Sequence, residues 1–231
     1  MASALLACCA AAFGLGEDQL YTGSARTTRP GGLQFQAVYR GTFGEGSRAA
    51  GGALYVGATP SIDVRFSYGY LWTYSGPNFR VGPSIGAKWR FIGNGRTNSS
   101  VALSAICSSG QRAGDPASKP DYGALLIFQQ PTPAGIVLLN YGRVFVGENL
   151  PDLRYLAAAL ARPISPQVLV AAQYIDVEQF GVGVPGREFS MWVGAAVYHP
   201  NKSTVYSLQI GYVPGAVQAP WNATLGLGLY F

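Results

Sequence analysis

A chain of 231 residues holds one large domain or two small ones, and its 12% charged content is about half the ~25% of an ordinary soluble protein. With 31 Gly, 14 Tyr and 11 Phe, the composition is odd for a cytosolic enzyme and suits a sheet protein whose outer surface does not face water. The net charge of +5 comes without any Lys/Arg-rich run, which argues against nucleic acid as a partner.

The chain begins MASALLACCAAAFGLGEDQ. An apolar stretch followed by Ala-x-Ala sites around Ala10–Ala12 reads as a signal-peptide-like segment over 1–16, lacking the usual basic start. "LLAC" at Leu5–Cys8 also resembles a lipoprotein processing box, and a buried N-terminal helix is the alternative. A polar lead follows over 17–30. Cys8 and Cys9 fall within the signal-like segment, which leaves Cys107 alone, with no disulfide framework and no metal cluster.

After Arg29 and Pro30 the hydrophobic pattern becomes period two and stays so to the end. Twelve segments follow that pattern: 32–43, 50–59, 62–73, 79–92, 98–107, 121–130, 135–144, 153–162, 167–176, 187–198, 203–213 and 220–231. In the third, Ile62, Val64, Phe66, Tyr68, Tyr70 and Trp72 share one face against Asp63, Arg65, Ser67 and Gly69. In the fourth, Phe79, Val81, Ile85, Ala87, Trp89 and Phe91 oppose Arg80, Gly82, Ser84, Gly86, Lys88 and Arg90. Both are longer than the ~5–6 residues of soluble strands and near the ~9–11 of a tilted membrane strand. Short turns near Pro60, Pro131, Pro163 and Pro200 alternate with longer polar loops at 43–50, 108–120, 145–152 and 177–186. Transmembrane barrels alternate short and long connections in this way and have even strand counts. The segment PDLRYLAAALARP (151–163) also fits a short helix, and the segments 121–130 and 135–144 are apolar on both faces.

The polar faces are rich in Gly and Ser and poor in charge, unlike soluble surfaces. Aromatics gather near strand ends on the apolar faces, at Tyr39, Tyr70, Trp72, Phe79, Trp89, Phe91, Tyr206 and Tyr212, as interface girdles do. The expected fold is therefore all-β: a single antiparallel up-and-down transmembrane β-barrel of about 12 strands over 31–231. A secreted soluble β-barrel holding an apolar ligand is the alternative.

The chain closes on TLGLGLYF, with Leu225, Leu227, Leu229 and Phe231 on one face. Thr224, Gly226, Leu229 and Phe231 resemble the C-terminal signature of bacterial outer-membrane proteins. That resemblance implies residence in the outer membrane, with membrane lipid and the barrel-assembly machinery as partners. The stretch RPGGLQFQAVYRGTF (Arg29–Phe43) resembles the opening of the MetA-pathway of phenol degradation family of outer-membrane transporters. The match lies in Arg29-Pro30 and Gly32-Leu33-Gln34; Phe35-Gln36 stand where that family tends to carry Glu. The resemblance implies passage of small solutes, aromatic ones among them.

Catalysis finds little support. The single His199 sits in a YHPNK turn, and there is no GxSxG, HExxH or phosphate loop. The Gly alternations in GLGLY and GVGVPG lack a following helix, so neither an enzyme nor a cofactor is expected. The charged residues that could line a pore are Arg40, Asp63, Arg65, Arg80, Lys88 and Arg90. If the polar faces of the third and fourth segments turn inward as a hairpin, Asp63 falls opposite Lys88 or Arg90, and Arg65 opposite Gly86 or Lys88. The remaining positive charge would favour anions. The expected function is a channel or transporter for a small solute, with a non-transporting anchoring barrel as the alternative.

Overall fold

A computed structural model describes residues 22–43, 48–72, 79–109, 119–145, 147, 152–180, 188–216 and 220–231, without the side chains of 70–72, 79–82, 179–180 and 188–189. The signal-like segment 1–16 and the expected girdle residues Tyr70, Trp72 and Phe79 lie outside the described side chains.

Twelve strands follow in order: β1 (Leu33–Thr42), β2 (Arg48–Thr59), β3 (Ile62–Trp72), β4 (Phe79–Ile92), β5 (Ser100–Ser108), β6 (Asp121–Thr132), β7 (Gly135–Phe145), β8 (Asp152–Pro163), β9 (Val168–Phe180), β10 (Glu188–Asn201), β11 (Thr204–Tyr212) and β12 (Trp221–Tyr230). Each pairs antiparallel with its chain neighbour, and β1 pairs with β12, so the barrel is closed. No helix occurs among the described residues. The segment with helical composition is β8, whose ladders run from Ile136↔Ala161 to Val144↔Leu153 on one side and along its full length on the other. Two flanking strands override a weak helical propensity.

The side chains sort by the pleat. Phe66, Ile85, Leu126, Leu139, Leu156 and Leu208 point outward at mid-barrel and are exposed. Polar groups such as Gln34, Gln36, Asp63, Gln209 and Thr224 point inward and are buried. This inversion excludes the soluble barrel and defines a transmembrane one. Outward aromatics pack in pairs toward both ends. Tyr174–Trp192 and Tyr212–Trp221, each with ring centroids 4.8 Å apart, lie toward the long-loop end, and Trp89–Phe91, 5.4 Å apart, lies near the short-turn end. The barrel seam closes at the short-turn end through Leu33 N–H to Phe231 O at 3.2 Å and Phe231 N–H to Leu33 O at 2.9 Å.

The lumen wall has two unlike arcs. Along β1–β5 and β11–β12 its buried residues are chiefly polar. Along β6–β10 they are chiefly apolar, including Leu125, Ile127, Leu138, Leu153, Ile175, Met191 and Val197. These join two packed clusters inside the barrel. This explains why the segments at 121–130 and 135–144 read as apolar on both faces: one face meets lipid and the other meets a core.

Candidate functional site: the occupied lumen

The polar arc is organised by the β3–β4 hairpin. Its register pairs Asp63 with Lys88 and Arg65 with Gly86. Lys88 Nζ stands 3.4 Å from Asp63 Oδ2, an ion pair too long to count as a strong hydrogen bond. The Arg65 guanidinium donates to Ser67 Oγ at 3.2 Å and lies 5.6 Å from the centroid of the Tyr55 ring, within cation–π range. Arg40 is buried on the inward face of β1, in register with the equally buried Thr224 of β12. Of the other terminal-signature residues, Gly226 and Leu229 pair with Val38 and Phe35, while Phe231 is exposed at the rim.

Arg80 stands in register with Tyr70 after a shift between Ser67 and Gly69, and its side chain lies outside the described residues. One of the charged candidates stands elsewhere. Arg90 is at the short-turn rim, where it donates to Pro60 O at 2.5 Å and Thr27 Oγ1 at 2.9 Å. His199 lies two residues before the end of β10 near the same rim, its N–H bonded to Gln167 O at 2.7 Å.

Residues 22–28 of the polar lead lie inside the barrel. Followed backward from β1, they cross the inner wall almost strand by strand. Gly31 N–H bonds to Gly57 O of β2 at 2.8 Å. Thr28 N–H donates to Asp63 Oδ1 of β3 at 2.8 Å, and Arg90 of β4 holds Thr27. Arg26 Nε donates to Gly95 O in the β4–β5 turn at 3.3 Å. Ala25 N–H donates to Gln129 Oε1 of β6 at 3.0 Å. Gly23 faces the Asn140 amide of β7, and Thr22 N–H donates to Gln173 Oε1 of β9 at 2.9 Å. Three main-chain donors, at every third residue, thus meet side-chain acceptors from β3, β6 and β9. Gln129 also donates to Gly95 O at 2.8 Å, and Gln173 to Gln209 Oε1 at 2.9 Å, so the acceptors are themselves held in place.

The lead fits because both it and the wall are small there. Its residues 22–28 read TGSARTT, with one long side chain. A Cβ on Gly57 would lie 2.1 Å from Arg29 O and 2.7 Å from Thr28 O, so only glycine admits the chain at that point. Gly95, at φ 70°, would bring a Cβ within 2.9 Å of Arg26 Cα. The available sequence signal was Gln129, Asn140 and Gln173, amides on inward positions of otherwise apolar strand faces. Each needs a partner in a dry interior.

No family model and no curated protein matches the chain. Solved structures do. An outer-membrane channel from Pseudomonas putida F1 is similar at a TM-score of 0.69 and 9% identity, over 90% of this chain and 98% of that one. The NanC porin is similar at 0.62 and 10%, over 86% and 98%. The KdgM porin, solved in complex with disordered oligogalacturonate, is similar at 0.59 and 9%, over 87% and 98%. The chain has the fold of outer-membrane channel barrels, in a form whose lumen is occupied by its own lead.

Proposed function

We propose that this protein is an outer-membrane channel for small solutes and that residues 22–28 keep it closed in the state described. The observation that supports this is how the lead is held. From Thr22 to Thr28 its hydrogen bonds run to inward side chains and turn carbonyls, while the twelve strand ladders close without it. Removing it breaks no strand pairing. The three main-chain bonds contribute roughly 0.5–1.5 kcal/mol each, with more at the charged Asp63. A few kcal/mol in total is the scale of a two-state equilibrium that a solute or partner can shift.

The solute class suggested by the wall is a small anion with an apolar or aromatic body. Three cationic side chains, Arg40, Arg65 and Lys88, stand with the carboxylate of Asp63 among the buried, described residues of one arc, and β6–β10 supply an apolar arc facing it. The local resemblance of Arg29–Phe43 to the phenol-degradation transporters agrees with an aromatic body. A second reading, an anchoring barrel without transport, draws on the packed apolar arc. Planar-bilayer recordings in a KCl gradient decide between them. The whole chain should conduct rarely, and a chain lacking 22–28 should conduct often, with an anion-selective reversal potential. A barrel that stays silent without 22–28 overturns the channel, and cation selectivity overturns the solute class.

A further inference from the structure

The lead is seated by its main chain. Thr22, Ala25 and Thr28 donate their N–H groups to Gln173, Gln129 and Asp63. Its buried side chains are not read in the same way: the hydroxyls of Thr22, Ser24 and Thr28 have no hydrogen-bond partner among the described residues. Arg26 and Thr27 do donate through their side chains, but to the turn carbonyls of Gly95 and Pro60. We propose that this seat is a sequence-tolerant peptide-binding site, and that the lumen takes up a free extended peptide of small residues there when the lead leaves.

The geometry of donors and acceptors carries the argument. Residues 22–29 belong to no helix or strand. A chain of polyproline type repeats every three residues and makes no internal hydrogen bonds, so donors at 22, 25 and 28 recur at its repeat. The wall has a matching repeat, because β3, β6 and β9 lie three strands apart and each sends one acceptor inward. Two of those acceptors are held without help from the lead. Gln129 Nε2 donates to Gly95 O and Gln173 Nε2 to Gln209 Oε1, so their oxygens stay aimed inward for the next occupant. Every peptide without proline at those points offers the same three donors.

Side chains set only an upper size. A Cβ at Gly23 would lie 3.2 Å from Asn140 Nδ2 and 3.5 Å from Ile127 Cδ1, which admits a small residue and refuses a bulky one. Asn140 is 1% exposed, and neither its Oδ1 nor its Nδ2 has a partner. An occupant with a small polar side chain at that point would satisfy an amide that the lead leaves unbonded. The lead is therefore one acceptable occupant and not the best one. The proposal rests on the lead being a closure that can leave its seat, and it does not need the barrel to conduct.

The test keeps the whole chain and frees the seat by Ala25→Pro with Thr28→Pro, which removes two of the three donors and leaves every wall residue in place. A synthetic TGSARTT peptide, acylated with fluorescein at its N-terminus, should bind this variant in detergent, read by fluorescence anisotropy. Exchanging Gly, Ser, Ala and Thr among their positions should change the affinity only a few-fold. N-methylation at the three donor positions should weaken it about a hundredfold, as the loss of three main-chain bonds does. The unaltered chain should bind far more weakly, because its tethered lead competes at roughly millimolar effective concentration. If the proline pair fails to fold, maleimide labelling of Ala25→Cys supplies the comparison: the peptide should speed labelling and its N-methylated form should not. No binding, equal binding of the N-methylated peptide, or loss of binding on exchange of side chains overturns the proposal. Labelling of Ala25→Cys without peptide reads the closure alone. A label that never enters there overturns the movable lead, while peptide binding by the proline variant still upholds the seat.

Discussion

On β3 and β4 the inward face carries Asp63, Arg65, Ser84 and Lys88; on β8 and β9 it carries Leu153, Tyr155, Ala157, Ile175 and Val177. The outward faces of both pairs are apolar, with Phe66 and Ile85 on one and Leu156 and Leu160 on the other. The same barrel therefore behaves as a porin wall on one arc and as a packed domain core on the other. Small barrels are filled by side chains and large ones by water. This one divides the two solutions across its lumen, and the lead bridges them: Ala25 packs into the apolar cluster while Thr28 bonds to Asp63.

The largest effect expected is in the apolar arc. Leu153→Ala should cost about 2–5 kcal/mol, as buried leucine truncations do, while Ser67→Ala on the polar arc should stay within about 1 kcal/mol. Urea midpoints of the two variants in the same detergent give the comparison, and equal shifts would erase the distinction between arcs. Next is the outer surface. Phe66→Arg should cost about 2–4 kcal/mol, the range for a cation at the bilayer midplane, whereas Phe66→Leu should be well tolerated. A label at position 66 that water reaches fully in liposomes would contradict the lipid-facing assignment.

Gly57→Ala is the most selective way to part the arcs, because the three atoms nearest the added methyl all belong to the lead. The three main-chain bonds of the lead, worth about 1 kcal/mol each, should be lost while the barrel remains folded. The readout is maleimide labelling of Ala25→Cys, slow when Gly57 is retained and fast when Gly57→Ala is added; equal rates would show that the wall yields instead. Asp63→Asn should loosen the same segment less, by about 1–2 kcal/mol, since it removes the charge from the bond to Thr28 and from the ion pair with Lys88. The smallest effect belongs to the Arg154–Glu178 pair at 2.6 Å, where Arg154→Gln should change stability by less than about 1 kcal/mol because Arg154 is 41% exposed. A larger loss in urea unfolding would mean that this pair is shielded from water.

What the sequence determined by itself was everything carried by local periodicity. Alternation placed the strands with two unlike faces, because the pleat repeats every two residues, and the order of loops and Pro turns placed 151–163 among them. Hairpin parity went further and narrowed the partner of Asp63 to Lys88 or Arg90, since a tight β3–β4 connection leaves few registers that keep both polar faces together, and the structure has Lys88. Where both faces are apolar, as on β6 and β7, the same logic is silent about which side turns inward. Tertiary structure decided that, and it decided where the shift near Ser67 takes Arg80. It alone placed the lead, whose main-chain donors find Asp63, Gln129 and Gln173 across separations of 35, 104 and 151 residues. Such bonds leave no periodic trace, because a main-chain N–H is the same at every residue and only the closed barrel brings these acceptors to it.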